Sequence, residues 1–408
     1  METMIERKNY LEKLENWKDE QVIKVITGIR RCGKSMLLKQ FQNKLLSDGV
    51  TAEQIVYINF EDMDNEPLLD YQKLYEHIKS HLVPDKKYYI FLDEIQCVDK
   101  YEKVVDSLYI RENVDLYITG SNAYMLSSDL STLLSGRFVE ISMLPFSFAE
   151  FCQSNPDENE DKLFADYMQY GGLPYIATMD KIKVKVEDYI EGIYNTVIIK
   201  DVEDRQTRRL DKKVIDTALL RSIAKYLADV SGNLVNISGI ANYLTSNVRK
   251  VSSHTVDDYV ELLTEAFIFY KVNRFDVKGK ELLKTNAKYY IVDTGLKNYL
   301  VPRKNYDLGF TLENIVYLEL LRRGYKVSVG KIASKEIDFV AERNGIIEYY
   351  QVCANLTDEK TFTRKMSVFD DIKDNYQKTI LTLDRFTTGN YNGIIVENII
   401  DWLLGKIK

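Results

Sequence analysis

The sequence is poor in the residues that build disulfide frameworks and transition-metal sites, with four cysteines and three histidines in 408 residues. Cys32, Cys97, Cys152 and Cys353 stand far apart and lack metal-ligand spacing. That excludes a disulfide-stapled fold and a zinc site, and it fits a reducing compartment. No apolar run is long enough to span a bilayer, and the opening METMIERKNYLEKLENWKDE is charged throughout, without a signal-peptide core. A cytoplasmic chain with no membrane segment is therefore expected, its opening residues forming an amphipathic helix. Internal repeats and long low-complexity tracts are missing too. So is an excess of positive charge: a net charge of −7 excludes a chain that coats nucleic acid over its whole surface, and any basic face has to be local. What remains is a composition 45% hydrophobic, enough for packed cores, at a length that suggests two to four domains.

The strongest local signal is GIRRCGKS, Gly28 to Ser35, which fits the phosphate-binding pattern G-x-x-x-x-G-K-[ST] at every fixed position. Gly28 and Gly33 permit backbone conformations that a side chain would block, so that successive N–H groups turn toward phosphate oxygens. Lys34 brings a compact charge to the β- and γ-phosphates, and Ser35 offers a hydroxyl to Mg²⁺ at the positive end of a helix. A β-branched run, 21–27, precedes the loop and helical apolar spacing, 36–41, follows it, giving the strand–loop–helix order such a site requires. Ile29, Arg30, Arg31, Cys32 and Met36 complete the expected nucleotide-binding segment. Arg30 and Arg31 are open between phosphate contact and simple exposure, and Cys32 is read as passive.

Further strands are expected at 55–60, 88–92 and 115–120, with a fifth entered through LSGRFVEI at 134–141. The third closes in Asp93-Glu94. At the carboxyl end of a strand downstream of a phosphate loop, Asp93 is placed to hold Mg²⁺ and Glu94 to act as general base toward water. The fourth is followed by Ser121-Asn122, which either senses the γ-phosphate or makes an ordinary turn. Arg137 reads as an arginine finger acting in its own subunit or a neighbour's, or as an exposed structural residue. Action in trans would require a homo-oligomer.

GIRRCGKS, FLDEIQ, ITGSN and SGRFVEISMLPFSFAEF, in this order, resemble a large prokaryotic family of AAA-type ATPases of the AAA+ superfamily. The resemblance extends over nearly the whole chain and includes Tyr170-Gly171-Gly172-Leu173-Pro174. It implies ATP and Mg²⁺ as ligands, a sensing strand lying between the strands of the two ATP motifs, and a helical lid after Pro145.

The region that follows reads as a winged helix-turn-helix. Helices are expected over 214–228, 238–244 and 253–267, strands around 269–272 and 289–292, and a wing tip at 277–280. Between Arg205 and Thr255 nine basic residues face three acidic ones, which favours DNA phosphate contact. The third helix carries Asp257, Asp258, Glu261 and Glu265, which favours a protein partner instead. In the last hundred residues, Glu313 on a helix, Asp338 on one strand and Gln351 and Cys353 on another resemble the restriction-endonuclease-like PD-(D/E)XK fold. There a helix Glu, a strand Asp and a Glu-x-Lys converge on a metal ion. Cys353 occupies the place of the lysine, so an inactive, degenerate site is expected unless a migrated lysine, such as Lys331 or Lys335, substitutes.

The expected architecture is thus α/β: a parallel-sheet P-loop core (1–145), a helical lid (146–204), a winged helix-turn-helix (205–302) and a restriction-endonuclease-like domain (303–408). The expected function is slow Mg²⁺-dependent ATP hydrolysis controlling a multidomain switch. The alternatives are a DNA-processing protein and a nucleotide-bound scaffold without useful turnover.

Overall fold

The computed structural model describes residues 5–121, 136–179, 183–196, 202, 215–301 and 308–406. The chain divides into two compact units, Met1–Pro145 with Glu265–Phe267, and Phe146–Thr264 with Ile268–Lys408.

In the first unit, five strands among the described residues form a parallel sheet: β1 (Ile23–Thr27), β2 (Ile55–Asn59), β3 (Tyr88–Asp93), β4 (Val114–Gly120) and β5 (Phe138–Ser142). Their order is β2-β3-β4-β1-β5, so β4 lies between β1 and β3, as the family resemblance implies. The three central strands are buried at every position, whereas β2 and β5 are partly exposed. Apolar runs without alternation are what a parallel sheet with both faces covered demands. Helices α1 (Lys8–Asn16), α2 (Lys34–Ser47), α3 (Tyr71–His81) and α4 (Tyr101–Tyr109) belong to the same unit. Leu74 and Ile78 of α3 and Val104, Val105 and Leu108 of α4 join Ile90, Leu92, Leu116 and Ile118 in one core. Phe41 of α2 packs on Phe91 and Tyr117, whose rings stack at 4.7 Å. An ion pair lies within this interior. Lys24 on β1 is fully buried against Asp115 on β4, and the Tyr117 hydroxyl donates to the same carboxylate at 2.9 Å.

The second unit begins with α5 (Phe148–Gln153), opened by a reciprocal Ser147–Glu150 capping box, then α6 (Glu160–Tyr170), α7 (Pro174–Thr178) and α8 (Lys183–Tyr194). The Gly171-Gly172 pair is explained by what lies against it. Asp293 caps α12 (Thr294–Leu300), and its carboxylate also accepts from the Gly172 N–H at 2.7 Å. A Cβ on Gly171 would fall 2.1 Å from that carboxylate. Thr294 and Asn298 donate to the last carbonyls of α6. Burial pushes the Asp293 carboxyl up to about 6, against the pull of the backbone donors around it.

Helices α9 (Thr217–Asp229), α10 (Ile237–Asn247) and α11 (Ser253–Glu265) follow, then the hairpin β7 (Phe269–Asp276) and β8 (Glu281–Ile291). Arg205, Arg208, Arg209, Lys212, Lys213 and Val214 lie outside the described residues, as do the expected junctions at 204–205 and 302–303. The hairpin strands run longer than expected, and the hairpin does not stand apart as a wing. Arg274–Asp276 pair with β8 on one side and, in parallel, with β9 on the other. It is thereby built into a mixed sheet of order β13-β14-β12-β11-β10-β9-β7-β8-β6. The remaining elements are β6 (Leu234–Val235), α13 (Leu308–Arg322), β9 (Lys326–Ile332), β10 (Lys335–Arg343), β11 (Ile346–Cys353), α14 (Glu359–Ser367), β12 (Gln377–Thr382), β13 (Gly389–Tyr391), β14 (Ile394–Asn398) and α15 (Ile399–Leu403).

Candidate functional site

The phosphate loop joins β1 to α2. Gly28 has φ 145° and Gly33 φ 102°, both in the region that favours glycine. At Gly28 a Cβ would also lie 2.2 Å from the Met143 carbonyl oxygen, so no other residue fits without moving the strand exit. Ile29 and Cys32 turn inward and are buried, and burial raises the Cys32 thiol, in keeping with a passive role. Arg30 pairs with Glu61, while Arg31 and Met36 are exposed and Ser35 is half-buried.

Lys34, only 4% exposed, donates to the Gly28 carbonyl at 3.1 Å and lies 3.4 Å from the Glu94 carboxylate. Burial alone would raise the Glu94 carboxyl, but Lys34 and the Gln96 amide hold it below its ordinary value. Burial likewise works against the Lys34 ammonium, and the surrounding negative groups, Glu94 foremost, hold it above its ordinary value. The lysine of one motif and the glutamate of the other are therefore brought together in their charged forms.

Asp93 is fully buried and oriented by two hydroxyls. Thr119 donates to Oδ1 at 2.5 Å and Tyr57 to Oδ2 at 2.9 Å. The Thr119 oxygen also accepts from the Glu94 N–H at 2.9 Å, using both roles of one hydroxyl. Through Thr119, β4 thus holds the Asp93 carboxylate and the Glu94 backbone. Ser121-Asn122, at the end of the same strand, are the residues expected either to sense the γ-phosphate or to make a turn. Ser121 is buried and hydrogen-bonds Glu94, while Asn122 lies outside the described residues. The available signal was a threonine hydroxyl near the end of β4, and only β4's place beside β3 gives it meaning. Arg7, well ahead of the motif, was missed as well. Its guanidinium donates to the carbonyls of Cys32 and Leu144.

Arg137 is not brought to this site. Its carbonyl accepts from the Ile23 N–H at the opposite end of β1 from the phosphate loop, about 13 Å away along the strand. Its guanidinium pairs with Asp106 at 2.5 Å and covers the Tyr109 ring, with 42% of the side chain exposed. A finger role within the same subunit has no geometric basis here.

In the second unit Glu313 (α13), Asp338 (β10) and Gln351 (β11) are buried together. Neither Lys331 nor Lys335 reaches them. Lys331 is opposite Asp276, and Lys335 donates to the Ser367 carbonyl at 2.6 Å. The lysine comes instead from α14: Lys365 lies 2.9 Å from Asp338 Oδ2 and 2.6 Å from Gln351 Oε1. A second ammonium, Lys288 of β8, sits 3.5 Å from Glu313 and 2.7 Å from Glu336. Burial, with the charge of Asp338, pushes the Glu313 carboxyl up against the opposing pull of Lys288 and Lys365. Cys353 is buried on the same strand, its thiol raised by burial. Among the described residues no group of three or more His, Cys, Asp or Glu side chains is arranged to hold a metal ion. Lys365 thus stands as a migrated lysine beside Asp338 and Gln351, and Lys288 as a second ammonium beside Glu313.

Two family models match the chain: an AAA domain over residues 20–152 and a domain of unknown function, DUF8612, over residues 161–307. A protein of Haemophilus influenzae described as uncharacterized is 42% identical over 406 residues, 98% of this chain and 99% of that one. A second uncharacterized protein, from Methanocaldococcus jannaschii, is 31% identical over 386 residues, 88% of this chain and 82% of that one. Among solved structures, the Walker-type ATPase of Pyrococcus abyssi has the same fold with a TM-score of 0.52 at 15% identity, covering 72% of this chain and 95% of that one. No helix among the described residues is long and apolar enough to cross a membrane. The chain belongs to the same family as the Haemophilus and Methanocaldococcus proteins, and its residues 20–152 match the AAA domain.

Proposed function

We propose that the chain binds ATP with Mg²⁺ at the Gly28–Ser35 loop and hydrolyses it, using nucleotide state to control a multidomain switch. The observation that carries this reading is the junction of the two motifs, with Lys34 3.4 Å from Glu94 and Asp93 held by Thr119 and Tyr57. Ser35 and Asp93 offer hard oxygen donors and would hold Mg²⁺, which would neutralise phosphate charge when bound. In the free protein Lys34 neutralises Glu94. Phosphate oxygens compete for that ammonium, leaving the Glu94 carboxylate to accept a proton from water. A phosphate-release assay is the test: release is expected with ATP and Mg²⁺ and is expected to cease on chelation with EDTA. Tight ATP retention with no release would favour a nucleotide-bound scaffold instead.

For the remainder of the chain a protein partner is favoured over duplex DNA. Asp257, Asp258 and Glu261 all face outward from α11, and the β7–β8 hairpin has one edge occupied by β9. Outward carboxylates on a recognition helix repel the phosphate backbone. With Gln351 at the acidic position and the Glu313, Glu336 and Asp338 carboxylates neutralised by Lys288 and Lys365, the cluster is read as a structural junction without nuclease chemistry. The full chain at low salt with Mn²⁺ is expected neither to retard nor to nick plasmid DNA. Nicking that disappears in Lys365→Ala would overturn this part of the reading.

A further inference from the structure

Arg7 lies two residues into the described chain, 21 positions before Gly28, and is only 2% exposed. A buried guanidinium requires partners for its donors, and here these are backbone carbonyls from two distant loops. One amino group donates to Cys32 O at 3.1 Å, inside the phosphate loop, and the other to Leu144 O at 2.8 Å, just past the end of β5. The segment that carries Arg7 is itself fastened. The Arg7 N–H donates to Gln40 Oε1 at 3.2 Å, and the Gln40 amide donates to the Ile5 carbonyl at 2.7 Å, which ties the segment to α2. The Tyr10 hydroxyl, in turn, accepts from the Leu144 N–H at 3.0 Å. Met143 completes the frame, its N–H donating to the Thr27 carbonyl at 2.7 Å.

We propose that Arg7 is a positioning residue for nucleotide binding, acting through the Cys32–Gly33 peptide of the phosphate loop. The inference rests on the nucleotide-binding reading of that loop. In a trans peptide the carbonyl and the following N–H point in opposite directions. Holding the Cys32 carbonyl against the guanidinium therefore directs the Gly33 N–H away from Arg7. Gly33 adopts φ 102° and Arg31 φ 69°, conformations that persist only where the surroundings hold them, at the very peptides that present N–H groups to phosphate. Arg7 supplies part of that hold, and Leu144 anchors it from the other side. Its contribution is to the loop's preorganisation before nucleotide arrives, which lowers the ordering cost of binding.

The test uses the full chain with Arg7→Met and Arg7→Lys beside the wild type and Lys34→Ala, measuring affinity for an ATP analogue, KM, kcat and melting temperature. Arg7→Met is expected to weaken binding and raise KM about tenfold, the scale of losing charge-assisted hydrogen bonds, with kcat changed less than about threefold. Arg7→Lys, which keeps one donor cation in the same place, is expected to fall between the two. A purely structural role would act through a smaller active fraction, lowering kcat and melting temperature while leaving KM within twofold of the wild type, and that result overturns the proposal. If wild type and Lys34→Ala bind nucleotide equally, the nucleotide site itself is misassigned and the proposal fails with it. Wild-type binding that Lys34→Ala loses and Arg7→Met keeps overturns the Arg7 assignment alone.

Discussion

Replacing Lys34 with alanine is expected to weaken ATP binding at least about a hundredfold and to remove measurable turnover, because a buried cation that meets phosphate charge is lost together with its pairing to Glu94. Two features of the site make the effect large. The ammonium is almost fully enclosed, so water cannot take over its role. Its partners, the Gly28 carbonyl and the Glu94 carboxylate, are the two sides of the site, so the substitution also leaves a buried carboxylate without its counter-ion. The Glu94 carboxyl, now held below its ordinary value mainly by Lys34 against the effect of burial, is expected to move upward in the variant. Equilibrium binding of a fluorescent ATP analogue decides the matter. A dissociation constant within tenfold of the wild type would remove Lys34 from the site.

Glu94→Gln tests the chemistry apart from the binding. The amide keeps the shape of the side chain and one hydrogen-bond acceptor, but it cannot take a proton from water. The Thr119 contact is made by the Glu94 backbone N–H and does not depend on the side chain. Glu94 sits at φ 57°, a conformation set by the turn between β3 and the following helical turn, and this too is independent of the carboxylate. The expected outcome is ATP affinity within about threefold of the wild type and a kcat lower by a factor of about 100 to 10,000, the range for losing a positioned general base. Intact-mass measurement should then find ATP retained on the variant. Turnover equal to the wild type would move the base elsewhere, and lost binding would make Glu94 a determinant of the loop's structure instead.

The two substitutions divide the site along its own construction. Lys34 belongs to a local motif, read from eight consecutive residues. Glu94 belongs to a strand end whose meaning depends on where the strand lies. β3 carries Asp93 and Glu94 to the phosphate loop only because β4 is inserted between β3 and β1, and β4 brings the hydroxyl that orients both. The glycine pair at 171–172 shows the same dependence. In the sequence it is a motif without a reason, and in the fold it makes room for the Asp293 carboxylate.

By itself the sequence determined what is local in the chain. It fixed the strand–loop–helix of the phosphate site, the acidic end of β3, the apolar runs of a parallel sheet and the order of helices and strands that follows. These depend on residues within a few positions of one another, where backbone preference and apolar spacing act directly. The tertiary structure decided what depends on pairing between distant segments. Arg137 fell at the far end of β1, because parallel register sets its height. Lys365 took the place left by Cys353, because α14 packs beside β10 and β11. The hairpin expected to carry the wing tip also pairs with β9, because an open strand edge pairs when another is offered. Arg7, Tyr57 and Thr119 acquired roles only when folding brought carbonyls and carboxylates from elsewhere in the chain against them, since a buried polar group takes its partner from whatever the fold places within hydrogen-bonding distance.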